Sequence, residues 1–381
     1  MGMEFALTVG WSRRGFLQDE SLGKHRSGPT AGFPNDQVTI HLRPRRMRKA
    51  CLLYNPVSGG RRSRRQAELN AALSVLQAAG VEAELVAIRS PQDAAQQARQ
   101  AIAQGCDTVF ACGGDGTIHD ILQGLAGTSA ALGVLPMGTA NALAHDLGMP
   151  LNTVGAARAA LHSIRRRIAL GRIAYLDPDG KPGTHYFTVA AGVGVDAHLF
   201  YKLSSAVKGR LGMAAYYVKA WHLWIHYRMR RFQAQHTLTG TGGPGSAPAT
   251  SSANVTELLA VRIRNFGGVL RELAPGASLE RNDLRLVLCR TASRTAYLRY
   301  VLGGLFGRRW TTPGIELVHS EKVSCQYLPA QPCSDGRLAT DSPIHVEADG
   351  EFLGTLPAEI TIVPDALTLL VPTNSATIGV G

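Results

Sequence analysis

The stretch V-F-A-C-G-G-D-G-T-I-H-D-I-L-Q-G-L, residues 109–125, decides how the rest of the chain is read. An apolar run from Thr108 to Cys112 fits a buried parallel strand. Gly113, Gly114, Asp115, Gly116 and Thr117 then make a sharp turn, and Ile118, Ile121, Leu122 and Leu125 follow at helical spacing. A strand, a glycine turn and a helix start together present free backbone N–H groups and the positive end of a helix dipole to an anion. Asp115 inside the turn would repel bare phosphate, so it points to a Mg²⁺ ion bound along with the phosphate. The competing reading is an ordinary βα turn. It loses ground because two further loops fall where a nucleotide site needs them.

The first of these follows Lys49–Tyr54, a short buried strand, and reads N-P-V-S-G-G over residues 55–60. A helix over about 62–79 carries Leu69, Leu73 and Leu76 on one face, and a strand is expected from Val81 to Ile88. Pro91 to Gln104 reads as a helix closing at Gly105. After the 109–125 unit comes a strand over 130–135, ended by P-M-G-T-A-N (136–141), and a helix through His145. This repeated β-loop-α order predicts a parallel sheet covered on both faces, with its ligands at the carboxyl ends of the strands, where all three loops lie.

Beyond about residue 165 the pattern changes. Segments 172–176, 185–190, 257–264, 284–289, 315–319 and 344–348 read as strands with turn-rich connections, an antiparallel and mostly β domain. Helical stretches over 204–232 and 291–307 interrupt it, and Thr239–Ala253, rich in Gly, Ser, Thr and Pro, reads as a solvent loop. Asp349-Gly350-Glu351 is a tight turn, and Leu367–Val371 is a late apolar strand that can return to the first domain. The expected organisation is therefore an extension (1–48), an α/β nucleotide-binding domain (49–165, with a return over about 362–374) and a β-rich substrate domain (166–361). In the extension, S-R-R-G-F-L resembles an export signal but lacks an apolar core, and Met47 directly precedes the first strand.

The 381 residues carry 40 Lys+Arg against 28 Asp+Glu, a net charge of +12 that suits an anionic partner such as nucleotide phosphates or an anionic bilayer. Six scattered cysteines show no CxxC pair, which favours buried thiols of a reducing cytosol over zinc or a disulfide framework. No apolar run is long enough to span a bilayer. No helix-turn-helix, zinc-finger or aromatic RNA-binding signature is present, which argues against nucleic acid.

Together N-P-V-S-G-G (55–60), G-G-D-G-T-I-H-D (113–120), L-P-M-G-T-A-N-A-L-A (135–144), G-V-G-V-D-A (192–197) and D-G-E (349–351) resemble the diacylglycerol kinase catalytic-domain family, which includes bacterial lipid kinases and sphingosine kinases. The resemblance spans about residues 49–374. It implies ATP-dependent transfer of a γ-phosphoryl group to a lipid hydroxyl. It also implies a phosphofructokinase- and NAD kinase-like α/β domain, a β-sandwich-like C-terminal domain, and a nucleotide cleft between them. Asn55, Ser58 and Gly59 match the family's first nucleotide loop. Gly114, Asp115, Gly116 and Thr117 match its phosphate loop, with Asp120 standing where glutamate is usual. Gly138, Thr139 and Asn141 form the third loop. Phosphoryl transfer needs charge neutralisation and a carboxylate near the attacking hydroxyl. Glu351 is the expected proton acceptor with Asp349 beside it, although an Asp-Gly hairpin turn alone would look the same. Asp196 matches a head-group-reading acid of the sphingosine kinase branch, and a capping role is the alternative.

Two departures stand out. Ala142 occupies a position that is aspartate in many members. Around Glu280–Leu286, where the resemblance places a structural Mg²⁺ site, Arg285 replaces an expected aspartate, so that second site is expected to be degraded or absent. Aromatic and basic residues mix over 214–232 and 298–310, either as core cover or as an interfacial surface. The expected setting is cytoplasmic, at the inner face of the membrane, with a lipid alcohol as partner, and domains of this kind can pair through sheet edges into a homodimer. An NAD kinase-like phosphotransferase and a non-catalytic lipid- or nucleotide-binding protein remain the alternatives.

Overall fold

A computed structural model describes residues 46–56, 62–198, 229–237, 249–267, 272–305, 311–329 and 343–373. The first half alternates strands and helices: β1 (Lys49–Tyr54), α1 (Arg62–Ala78), β2 (Glu82–Ala87), α2 (Pro91–Ala103), β3 (Thr108–Gly113), α3 (Asp115–Leu125), β4 (Ala131–Pro136), α4 (Ala142–Asp146) and α5 (Thr153–Leu161). The strands lie in the order β2-β1-β3-β4, all parallel. Every residue of β3 and β4 is buried, as a strand with helices on both faces requires. α3 turns Ile118, Ile121, Leu122 and Leu125 inward, while α2 starts where the Ser90 hydroxyl accepts from the Asp93 N–H and Pro91 needs no partner. α5 was not anticipated: T-V-G-A-A-R-A-A-L has little apolar bulk, and the Asn152 side chain starts it by accepting from the Gly155 N–H at 2.6 Å.

The second half contributes β5 (Ile164–Leu176), β6 (Pro182–Phe187), β7 (Ala190–Gly194), β8 (Phe232–Thr237), β9 (Thr250–Val255), β10 (Glu257–Val261), β11 (Leu284–Cys289), α6 (Arg294–Leu305), β12 (Ile315–Ser320), β13 (Lys322–Tyr327), β14 (His345–Ala348) and β15 (Glu351–Val371). All its internal pairings are antiparallel. β15 runs for 21 residues and joins the two halves. It leaves β14 at a hairpin, lies along β13 and β5, and ends parallel to β4, with Thr368 opposite Ala131.

Several expected boundaries move. The strand expected at 172–176 begins at Ile164, because its arginines have partners across the sheet: Arg165 donates to the Asp107 carbonyl and carboxylate, and Arg167 to the Thr128 carbonyl. The expected loop 239–253 already belongs to β9 from Thr250, whose polar residues pair with β8 and face outward. Phe232 opens a strand instead of closing a helix, and most of the expected 204–232 helix lies outside the described residues.

One apolar core fills the first half and takes in Ile168, Leu170, Leu279 and Leu367 of the second, and two further cores lie within the second half. Arg262, just past β10, has no exposed surface. Its guanidinium donates to the carbonyls of Asp283 (2.6 Å), Arg281 (2.8 Å), Ala169 (3.0 Å) and Leu279 (3.3 Å). Burial pulls its pKa down to about 10, with Asp283 opposing the fall, so it stays charged at neutral pH. Arg262→Met would leave four carbonyls without their donor, each costing about 1–3 kcal/mol when left unsatisfied in the interior. The expected loss in urea denaturation is roughly 3 kcal/mol or more. A loss below about 1 kcal/mol would mean that water takes over those carbonyls.

Candidate active site

The turn after β3 and the loop after β4 touch. A Cβ on Gly138 would fall 2.4 Å from the Gly114 Cα, so neither position accepts a side chain without moving backbone. Asn141 holds the second loop: its Oδ1 accepts from the Gly138 N–H and its Nδ2 donates to the Gly138 carbonyl, both at 2.9 Å. Asn141 adopts a left-handed φ of 50° and directs the N–H groups of Asn141, Ala142 and Leu143 at the Asp115 carboxylate. Burial and the charge of Asp349 push the Asp115 pKa up, and those N–H groups pull it down. Its Oδ1 is buried with no hydrogen-bond partner. Such an orphaned oxygen beside free helix N–H groups suits a cation carried in with phosphate.

The β14–β15 hairpin brings the second group of residues to this turn. Asp349 and Gly350 have φ of 50° and 83°, the left-handed pair expected of an Asp-Gly two-residue hairpin. The Asp349 carboxylate accepts from the N–H groups of Val189 (2.8 Å), Thr188 (3.1 Å) and Ala190 (3.2 Å), and His119 Nδ1 lies 3.5 Å from its Oδ2. Glu351, on the exposed side, lies against α3, where a Cβ on Gly116 would fall 2.5 Å from its Oε1. Asp120, one turn along α3, senses both: burial raises its pKa to about 6, with His119 pulling down and Glu351 pushing up. Thr117 is buried, its side chain filling the space over Gly113, and Thr139 is exposed.

The remaining expected residues separate. Asn55 follows β1, its N–H donating to the Cys112 carbonyl at 3.3 Å beside the glycine turn, whereas Ser58 and Gly59 lie outside the described residues. Beyond the loops opens a cavity of about 780 Å³, lined by Arg64, Arg65, Met137, Gly138, Asn141 and Thr153. Asp196 belongs to a different cluster, past the end of β7, with Glu257 and Glu347. Glu257 faces Gly194 and Glu347 faces Gly192 across the sheet, each glutamate filling space that its glycine leaves. Glu257 accepts from the Val195 and Asp196 N–H groups, and Glu347 from Gly350 (2.8 Å). Burial first, then mutual repulsion with Asp196, raises both glutamates well above the usual carboxylate range, and burial takes Asp196 to about 6.

The segment expected to resemble a metal site is built differently. Both oxygens of Asp283 are bound by the Arg281 guanidinium, His319 Nδ1 lies 3.3 Å away, and Arg262 takes the Arg281 and Asp283 carbonyls. Three cationic or basic side chains occupy the donors a metal would need, so these residues do not fit one. Arg285 is not the group that pairs with Asp283, although it was the substitution visible in the sequence.

Residues 49–173 match the diacylglycerol kinase catalytic domain, and residues 188–371 match the YegS C-terminal NAD kinase beta sandwich-like domain. A diacylglycerol kinase of Mycobacterium tuberculosis is 30% identical over 332 residues, 87% of this chain and 97% of that one. The chain belongs to the diacylglycerol kinase catalytic-domain family. A diacylglycerol kinase of Bacillus subtilis is 26% identical over 333 residues, covering 87% of this chain and 98% of the relative. The fold is shared with a crystal structure of a diacylglycerol kinase from Bacillus anthracis, at a TM-score of 0.60 and 17% identity over 86% of this chain and 98% of that one.

Sequence reading passed over His119, Glu257 and Glu347. His119 sits inside a quoted motif, but its partner is 230 residues away. Glu347 did carry a signal, as an acid two residues before Asp349 between the apolar Val346 and Ala348. Because the folded state holds a proton on Glu257 that the unfolded chain releases near pH 4.3, its stability contribution is complete below that pH and is lost as pH rises toward the folded pKa. Glu257→Gln removes this loss. Thermal melts should show the variant matching wild type near pH 4.5 and exceeding it by about 1 kcal/mol or more at pH 8. A constant difference across that range would show that Glu257 is ionised in the fold.

Proposed function

We propose that the protein is an ATP-dependent lipid kinase that moves the γ-phosphoryl group to a lipid hydroxyl, with diacylglycerol or a sphingoid-type lipid as the acceptor class. The observation that carries this reading is the meeting of Asp115 Oδ1, buried and without a partner, with the Glu351 carboxylate on one turn of α3. A phosphate-binding turn and a free carboxylate are what transfer to an alcohol needs in one place.

The loop cavity has the size of a nucleotide pocket and presents Arg64 and Arg65 beside Asn141. The N–H groups of the first α3 turn are oriented toward phosphate. A Mg²⁺ ion arriving with the triphosphate would be held by Asp115 and would neutralise charge on the phosphate oxygens. Glu351 takes the hydroxyl proton as the lipid oxygen forms its bond to the γ-phosphorus and the bond to the leaving ADP oxygen breaks. Asp349 is the weaker candidate for that proton, since its oxygens already face three backbone N–H groups and His119. An ionised carboxylate has about four lone-pair sites, and here they are engaged. Asp196, half-exposed at the end of β7, is the proposed head-group contact.

A lipid acceptor places the reaction at a bilayer surface. The net charge of +12 supports attachment to the anionic cytoplasmic face. No helix among the described residues is long and apolar enough to cross a membrane. The aromatic and basic stretch 214–228 lies outside the described residues, as do residues 306–310.

Radiolabelled ATP with a panel of lipid alcohols in mixed micelles tests this function. Label should enter one lipid class, fall by about 10²–10⁴-fold in Glu351→Ala, and fall at least as far in Asp115→Ala. Label entering NAD instead of any lipid would overturn the acceptor assignment, and full activity in Glu351→Ala would overturn the choice of proton acceptor.

A further inference from the structure

His119 is buried, and its Nδ1 faces the Asp349 carboxylate, which three backbone N–H groups from the β6–β7 connection already fix in place. The other ring nitrogen, Nε2, is buried with no hydrogen-bond partner. One face of the ring stacks on His185 at 5.3 Å between centroids and 30° between planes, and His185 is held by the Tyr175 hydroxyl at 2.7 Å. The charged or titratable groups facing His119 are Asp120 from its own helix, Asp349 and Glu351 from the β14–β15 hairpin, and His185 from β6. Three are acids and the fourth is a second imidazole.

We propose that His119 is a positioning residue of the transfer reaction: its ring, seated on Asp349 and stacked on His185, sets a positive charge among the acids Asp120, Asp349 and Glu351. The proposal rests on the kinase reading above. An aspartate that fixes one nitrogen of an imidazole and stabilises its charged form is a recurring way of holding a histidine. Here Asp349 does the holding, which explains why a residue of the D-G-E turn has no free oxygen for substrate.

The proton balance agrees. Burial works against a charged His119, but the hydrogen bond and charge of Asp349, joined by Asp120 and Glu351, outweigh it and raise its pKa above the ordinary value. His185 goes the other way, to about 4, through burial and the charge of His119, so a neutral ring packs on a charged one. The imidazolium is thus confined to one position, four residues after Asp115 and next to Asp120 in the same helix.

His119→Asn keeps a donor near the Nδ1 position without the charge, and His119→Ala removes both. Profiles of kcat/KM against pH, with ATP and the accepted lipid, should show the acid limb of His119→Asn displaced upward by about one pH unit. His119→Ala should show the same displacement and a further fall in kcat. By NMR, the His119 ring should titrate above about 6.5 in wild type and lower in Asp349→Asn. Superimposable pH profiles with transfer intact would overturn the role of His119 alone. A His119 ring that titrates below the ordinary value would overturn its pairing with Asp349. Absence of transfer by wild type would remove the kinase reading and this role with it, while the ring titration still decides the pairing.

Discussion

The structure depends on one hydrogen-bonded carboxylate. Asp349 receives the N–H groups of Thr188, Val189 and Ala190 and faces His119, so a single side chain ties the β14–β15 turn to the β6–β7 connection and to α3. Its own N–H donates to the Ala190 carbonyl at 2.8 Å, closing the junction in the other direction. Glu351 is aimed at α3 because this turn is fixed two residues earlier. The long β15 strand then carries the constraint into the first half, where it ends against β4. The glycine turn after β3 and the Glu351 carboxylate come from distant parts of the chain and meet at this junction.

Charge is distributed around that junction in a consistent way. Glu257 and Glu347 lie beside Asp196, and burial, then the charge of Asp196, pushes both glutamates toward their neutral forms. A neutral carboxyl can be packed between strands at modest cost, whereas an ionised one without a partner cannot. Glycines at 192 and 194 supply the room. Around Asp283 the balance reverses: Arg262 takes its carbonyl, Arg281 its carboxylate, and His319 Nδ1 lies 3.3 Å away. A fixed guanidinium there bonds the Arg281 and Asp283 carbonyls, which a bound cation would otherwise use.

Much of the first half is legible from residue order. Parallel strands such as β3 and β4 are buried on both faces, so they appear as short apolar runs, and the loops after them announce themselves through Gly114, Gly138 and Asn141. The second half is less legible because its strands are half polar. β9 reads as a loop until β8 is seen beside it, and the basic start of β5 reads as no strand until Asp107 and the end of β15 supply partners. Alternation in an antiparallel sheet has meaning only once the neighbour and the solvent face are known.

The sequence by itself determined the family and the strand, glycine turn and helix unit, and it singled out Asp115, Asp120, Asp349 and Glu351, because those features depend on local backbone geometry and residue type. Only the tertiary structure decided how differently these acids are surrounded. Whether a carboxylate is free, saturated or held neutral depends on which backbone N–H groups, charges and buried surfaces reach it from distant segments. Asp349 and Glu351 are two residues apart and chemically similar. One is saturated by hydrogen bonds across the junction and the other is left open over Gly116.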